Sequence, residues 1–157
     1  MSLNYAAALS KYPDKGVLGT VEIFEDSNKV EEKASILSSI ISTSQNIVFL
    51  TGAGISTSAG IPDFRGPHGV WTLEEKGLTP EVNIDFTQAN PSLTHFAINA
   101  IADSGKDCYI VSQNVDNLHM KSGNIIFIIF SPISPVNWML TVVCFGPTSG
   151  GNCALKF

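Results

Sequence analysis

Two short stretches of this chain concentrate the residue types that do chemistry. In the first, residues 45–66, the apolar run Ile47, Val48, Phe49, Leu50 and Thr51 turns through Gly52, Ala53, Gly54, Ser56 and Thr57. It then reaches Pro62, Asp63, Phe64 and Arg65. Glycines directly after an apolar strand let backbone N–H groups approach an anion such as a phosphate, and an acid, an aromatic and a base follow beside that place. In the second stretch, Gln113, Asn114, Asp116, Asn117 and His119 come straight after the apolar segment 108–112. Amides and an acid bunched at the carboxyl end of a strand are where open α/β sheets take ligands. A polar turn with an Asx cap is the plain alternative, and spacing alone leaves it open.

The glycine pattern is an imperfect dinucleotide fingerprint. Gly52 and Gly54 are followed by Thr57, and the next glycine is Gly60. Glu74 and Glu75 follow a loop rich in proline and glycine instead of closing a second strand. A P-loop is excluded, because no glycine is followed by Lys and Ser or Thr. The loop 61–79, with Gly66, Pro67, His68, Gly69, Trp71 and Gly77, has two readings. It is either a surface loop with Phe64 and Trp71 packed down or a cover over a cofactor, and its position after the glycine turn favours the cover.

Val30, Ala34, Leu37 and Ile41 predict a helix over 29–44 that covers one face of the sheet. Asp26 or Ser27 would cap it, with Glu31 and Glu32 in its first turn. A buried strand over 47–51 follows. Asn90 and Pro91 predict the start of a second helix, running to about Ser104 and closed by Gly105. Leu93, Phe96, Ala97, Ala100 and Ile101 would form its buried face, leaving His95 partly exposed. The segment 108–112 is the next strand. Residues 79–89 have no clear pattern, and 1–28 read as an irregular leader from which Ile23 and Phe24 could pack on the body. Helix, strand, glycine turn, helix and strand make an α/β fold: a Rossmann-like parallel sheet with covering helices.

A length of 157 residues suits one domain, and a net charge of −5 without a basic run gives no nucleic-acid motif. The cysteines, Cys108, Cys144 and Cys153, lack CxxC spacing, which argues against a disulfide scaffold and a four-cysteine zinc site and for a reducing compartment. No signal peptide is expected from the N-terminus. All 14 acidic residues lie before position 122, whereas Lys156 is the lone charged residue after it. The tail instead carries apolar runs at 125–130 and 136–145. A membrane helix needs about 20 apolar residues, and Pro132, Pro135 and Asn137 interrupt this stretch, so no membrane span is expected. Buried strands remain open, as does a tail foreign to the domain.

The segments at 52–56, 58–66, 69–71 and 113–119 resemble the signature segments of the sirtuins, the NAD-dependent protein lysine deacylases. Residues 4–16, 22–24 and 66–80 further resemble the nuclear, chromatin-associated SIRT-six-like type. The resemblance covers about residues 1–123, which implies a leader (1–28), a partial Rossmann-like NAD-binding domain (29–123) and a divergent tail (124–157). It implies that Gly52, Ala53, Gly54, Ser56 and Thr57 lie against the pyrophosphate and ribose of NAD. Asp63, Phe64 and Arg65 would form a closing loop, with Trp71 on the nicotinamide side. Gln113 would meet the ribose, and Asn114 and Asp116 the nicotinamide amide.

The family's general-base histidine, expected in an LHG segment, and its zinc-binding CxxC pairs have no counterpart in these 157 residues. His119 resembles a structural histidine of the family, and Asn117 replaces a more usual glycine. The resemblance thus implies a truncated deacylase that uses NAD, releases nicotinamide and forms O-acyl-ADP-ribose as a family activity, but is catalytically incompetent here and lacks the zinc module. Acylated-lysine proteins such as histones would be the partners and the nucleus the location. A non-catalytic NAD-binding or partner-binding fragment and a mono-ADP-ribosyltransferase are the alternatives, and an NAD-using oxidoreductase is disfavoured. Gly123 and Asn124 can be encoded by a splice-donor-like GGTAAT, which leaves translated intron and a mispredicted exon as readings of the tail, and sequencing the transcript across this junction tests them. An open sheet edge and the run at 125–130 predict poor solubility for the isolated chain.

Overall fold

The computed structural model describes residues 14–79 and 87–123, and the backbone of Ile126–Ser131 and Met139–Cys144. Helix α1 (Ser27–Thr43) leads into β1 (Asn46–Thr51) and two 3-10 turns (Ala53–Ile55 and Thr57–Ala59). Then follow α2 (Val70–Glu75), α3 (Leu93–Ala102), β2 (Asp107–Ser112), α4 (Leu118–Lys121), β3 (Ile126–Ser131) and β4 (Met139–Cys144). The sheet order is β1-β2-β3-β4, with the first three strands parallel and β4 antiparallel to β3.

Asn46 pairs with Asp107 and Thr51 with Ser112, so β1 and β2 end level. The Gln113 N–H donates to the Thr51 carbonyl at 3.0 Å, carrying the ladder one residue past the strands. This brings the two chemistry-bearing loops side by side, as the α/β reading requires. Two small cores lie beneath them. Phe49 packs on Ile98 and Ile110, which ties β1 and β2 to α3. Ile61, Ala89 and Leu118, with Ala59, join the loop after β1 to α4.

Several sequence expectations change. Helix α1 forms, capped by the Asp26 carboxylate accepting from the Asn28 N–H at 2.9 Å, but none of its residues is buried. Val30 and Leu37 of the expected stripe are 52% and 57% exposed. Periodicity shows which face would be buried, not that a partner lies against it. Starting at Ser27 also moves Glu31 and Glu32 into the second turn. Strand β1 is half-buried on one side, at Ile47 and Phe49, and buried only at Thr51, with Val48 and Leu50 facing outward. Ile23 and Phe24 are exposed and do not pack on the body.

Helix α3 starts after Ser92 rather than Asn90, because Ser92 and His95 complete a reciprocal capping box. Its buried residues are His95 and Ile98, whereas Leu93 and Phe96 are exposed. A polar residue with hydrogen-bond partners took the inner face that apolarity had assigned to its neighbours. In the tail, the backbone of 126–131 and 139–144 forms strands, the alternative the sequence left open. No helix among the described residues is long and apolar enough to cross a membrane. Leader residues 1–13, residues 80–86 of the patternless segment, and tail residues 124–125, 132–138 and 145–157 lie outside the described residues.

Candidate functional site at the carboxyl ends of β1 and β2

The arm after β1 is compact because each 3-10 turn closes on itself. Ile55 N–H donates to Gly52 O at 3.3 Å, Ser56 N–H to Ala53 O at 2.9 Å and Gly60 N–H to Thr57 O at 3.0 Å. The Thr57 hydroxyl adds a bond to Gly54 O at 3.1 Å. Neither Gly52 nor Gly54 would place an added Cβ within 4 Å of another part of the described chain. Neither has the positive φ that excludes side chains. The fold itself therefore does not demand glycine at these two positions, and the space beside them is open.

The arm after β2 is tied to this turn through side chains. Asn114 Nδ2 donates to Gly52 O at 2.8 Å and to Ser56 Oγ at 3.3 Å. The Ser56 hydroxyl donates in turn to Asp116 Oδ2 at 2.6 Å, and Asp116 Oδ1 accepts the Leu118 N–H at 2.9 Å. Ser56 and Asp116 are both buried. The run from amide to hydroxyl to carboxylate is ordered, since a serine hydroxyl has one proton to give and accepts at its lone pairs. Asn117, next in line, is the one non-glycine residue with positive φ among the described residues (66°). The left-handed geometry that suits glycine is thus retained, by the non-glycine type that tolerates it best.

Beneath the two arms lie two histidines. His119 Nε2 is 3.0 Å from Thr51 Oγ1, and its ring meets that of His95 edge on, with centroids 4.8 Å apart. His95 is fully buried, which corrects the expected surface position. It is retained there by the Ser92 N–H, which donates to Nδ1 at 3.2 Å. The Ser92 hydroxyl lies 2.8 Å from the same nitrogen and donates to Ile55 O at 2.8 Å. Burial and the neighbouring His95 ring push the His119 imidazole down to about 4, against an opposing pull from Asp116. Burial likewise lowers His95, again opposed by Asp116. Both rings are therefore neutral near pH 7, in keeping with the acceptor role of His95 Nδ1.

The loop 61–79 is more structured than the sequence suggested, since it contains α2 with Val70, Trp71 and Thr72 buried. Phe64 and Trp71 do pack together, with ring centroids 5.0 Å apart. The Arg65 guanidinium lies 5.3 Å from the Trp71 ring centroid and its Nε donates to Lys15 O at 2.7 Å. Gly19 N–H donates to both Arg65 O and Thr72 Oγ1, so the leader is fastened to this loop. Asp63 accepts the Gly66 N–H at 3.1 Å. At Gly69 an added Cβ would meet the Phe64 carbonyl carbon at 2.5 Å, so close passage of the two strands of the loop requires glycine.

The geometry thus joins Gly52, Ala53, Gly54, Ser56, Thr57, Gln113, Asn114 and Asp116 in one place, while Asp63, Phe64, Arg65 and Trp71 form a neighbouring unit with the leader. Thr51, Ser92 and His95 belong to the first group and were missed. The Ser92 to His95 spacing, a capping box with histidine in place of Glu or Gln, was the available signal. Among the described residues no three His, Cys, Asp or Glu side chains converge as a metal set. A cavity of about 390 Å³ lined by Asn99, Lys106, Cys108 and Ser122 lies at the opposite end of β2 and is not this site.

A glycine turn and a polar loop at the level ends of two parallel strands, backed by helices, define an α/β protein with a Rossmann-like sheet. No family model matches the chain. It is 56% identical over 123 residues to the NAD-dependent protein deacetylase Sirt6 of Drosophila melanogaster, covering 78% of this chain and 39% of that protein. It is 46% identical over 124 residues to the NAD-dependent protein deacetylase SRT1 of Arabidopsis thaliana, covering 78% of this chain and 26% of that protein. A solved Sir2 structure with a deacetylated p53 peptide and 3'-O-acetyl ADP ribose matches at a TM-score of 0.50 and 31% identity, over 61% of this chain and 46% of the other. The chain belongs to the sirtuin family, and it spans about 39% of the length of the fly relative.

Proposed function

We propose that this chain carries the NAD-holding part of a sirtuin deacylase site and, alone, binds NAD without turning it over. The open Cβ positions of Gly52 and Gly54, in a turn that Asn114 ties to the loop bearing Asp116, are the observation that carries the reading. Backbone N–H groups at such a turn suit a pyrophosphate, and NAD is what the named relatives depend on. In this reading Gly52, Ala53, Gly54, Ser56 and Thr57 meet the pyrophosphate and its ribose, and Gln113 the nicotinamide ribose. Asn114 and Asp116 orient the nicotinamide amide. Asp63, Phe64 and Arg65 close over NAD, with Trp71 behind them. When bound, NAD would supply an electrophilic ribose carbon to an acyl oxygen, with nicotinamide leaving.

What this chain's own residues do is narrower: they bind, orient and exclude water. Asp116 still has acceptor capacity after taking the Ser56 hydroxyl and the Leu118 N–H, since a carboxylate has about four lone-pair sites. The three histidines do not supply a base in this reading. His95 and His119 are engaged beneath the site, and His68 is exposed on the loop before α2. The chain is divided, in the same reading, into leader (1–28), NAD-binding part (29–123) and a tail (124–157) outside the family domain. In the same reading acyl-lysine peptides, histones among them, would be the partners of the complete deacylase site, and the nucleus its location. The zinc module is likewise assigned to the complete site.

The test is calorimetric titration of NAD into the purified chain, together with nicotinamide release in the presence of an acetyl-lysine peptide. Saturable binding with no release above background is expected. Robust nicotinamide release would sink the incompetence half of the proposal, and absence of any binding would sink the other half.

A further inference from the structure

His95 was expected at the surface and is instead the residue through which α3 reaches both ends of the glycine turn. Its Nδ1 accepts the Ser92 N–H, and the Ser92 hydroxyl donates to the carbonyl of Ile55, the last residue of the first 3-10 turn. Its ring also rests edge on against His119, whose Nε2 meets the hydroxyl of Thr51, the residue that enters the turn. A single side chain therefore lies one neighbour away from Thr51 and one from Ile55. Between these two contacts lie Gly52, Ala53 and Gly54.

We propose that His95 is a positioning residue for the glycine turn, holding Ile55 through Ser92 without touching the ligand itself. The choice of imidazole supports this. His95 Nε2 is buried and has no hydrogen-bond partner among the described residues, a penalty that a leucine of similar volume would not incur. The imidazole is therefore not explained by filling space, whereas its Nδ1 completes the cap that orients Ser92. Asparagine at the same position would keep an acceptor in reach of the Ser92 N–H while losing the ring, and leucine would keep bulk while losing the acceptor.

This inference rests on the NAD reading for its consequence but not for its test. Hydrogen exchange of the full chain, without NAD, follows the amides of Ile55, Ser56, Ala59, Gly60 and Ile61, all bonded within the turn. In His95→Leu they are expected to exchange about tenfold faster or more while the β1 and β2 amides keep their protection, and in His95→Asn to stay within about threefold of the unsubstituted chain. Unchanged turn protection in His95→Leu, or equal loss across β1 and β2, would overturn the proposal. NAD titration of the same three proteins is expected to show about tenfold weaker binding for His95→Leu and near-normal binding for His95→Asn. If the unsubstituted chain fails to bind NAD, the functional reading fails, and the exchange comparison still decides the role of His95.

Discussion

The carboxyl ends of β1 and β2 and the outward face of the same two strands are built in opposite ways. At the strand ends, Thr51, Ser56, Ser112, Asp116 and His119 are polar and buried, and Thr51, Ser56, Asp116 and His119 bond to one another in pairs across the two arms. A few residues earlier, Val48, Leu50 and Tyr109 are apolar or aromatic and face outward, 67%, 73% and 52% exposed. Helix α1 shows the same exposure along Val30, Ile36, Leu37 and Ile40. Its carboxyl end is held by Lys106 Nζ donating to Ser42 O and Ser44 O. Parallel strands are normally apolar on both faces because helices cover both. The site end is therefore closed by hydrogen bonds between its own two arms, whereas the outer face carries the composition of a covered surface with nothing on it among the described residues.

The sharpest way to break this contrast is to truncate one side chain on each face. Ile110→Ala, on the inner side against Phe49 and Ile98, is expected to cost about 2–5 kcal/mol, whereas Val48→Ala is expected within about 0.5 kcal/mol. Equal costs in urea unfolding would show that the outer face is packed in solution. Acid should act on the site end next. The folded state holds His119 at about 4 against an ordinary 6.5, so it favours the neutral ring. That stability is fully present above 6.5 and is lost as pH falls through this window to about 4, amounting to about 3 kcal/mol. Urea midpoints at intervals across that range check it, and a flat profile would contradict a buried neutral pair.

Ser56→Ala removes the hydroxyl that donates to Asp116 and is expected to cost about 2 kcal/mol, because a buried carboxylate loses a charge-assisted bond. A smaller effect is expected at Asn117, where alanine must hold φ near 66° without a polar side chain, costing about 1 kcal/mol. Both are read from the same unfolding curves, with tryptophan fluorescence as the probe. A Ser56→Ala cost below that of Asn117→Ala would mean that the link between the arms contributes little.

The same contrast explains what was legible in the sequence. The strand at 47–51, the glycine turn and the polar loop at 113–119 were readable because strand, turn and amide cluster are local patterns, and the parallel pairing of β1 with β2 brought them together. The sirtuin signature segments made the family legible too. His95 was misplaced because burial of a polar residue depends on a partner contributed by its own cap, Ser92, and by His119, far along the chain. The inner face of α3 was misjudged for the same reason. Helix α1 was correct as a helix and wrong as a covered one, since a periodic stripe specifies a face and not its occupant. Tail residues 126–131 and 139–144 could not be decided between strand and foreign segment, because short apolar runs carry no period that distinguishes them.

In the proposed reading Gly52 and Gly54 lack side chains for the sake of a ligand and not of the fold. Gly54→Ala tests it most directly, because its added Cβ meets nothing of the described chain within 4 Å and its backbone angles suit alanine. NAD titration and thermal unfolding would be measured side by side on this variant and on the unsubstituted chain. Binding weakened by about tenfold or more, with a midpoint shifted by no more than about 3 °C, is expected. Unchanged NAD affinity in a folded Gly54→Ala chain would contradict it.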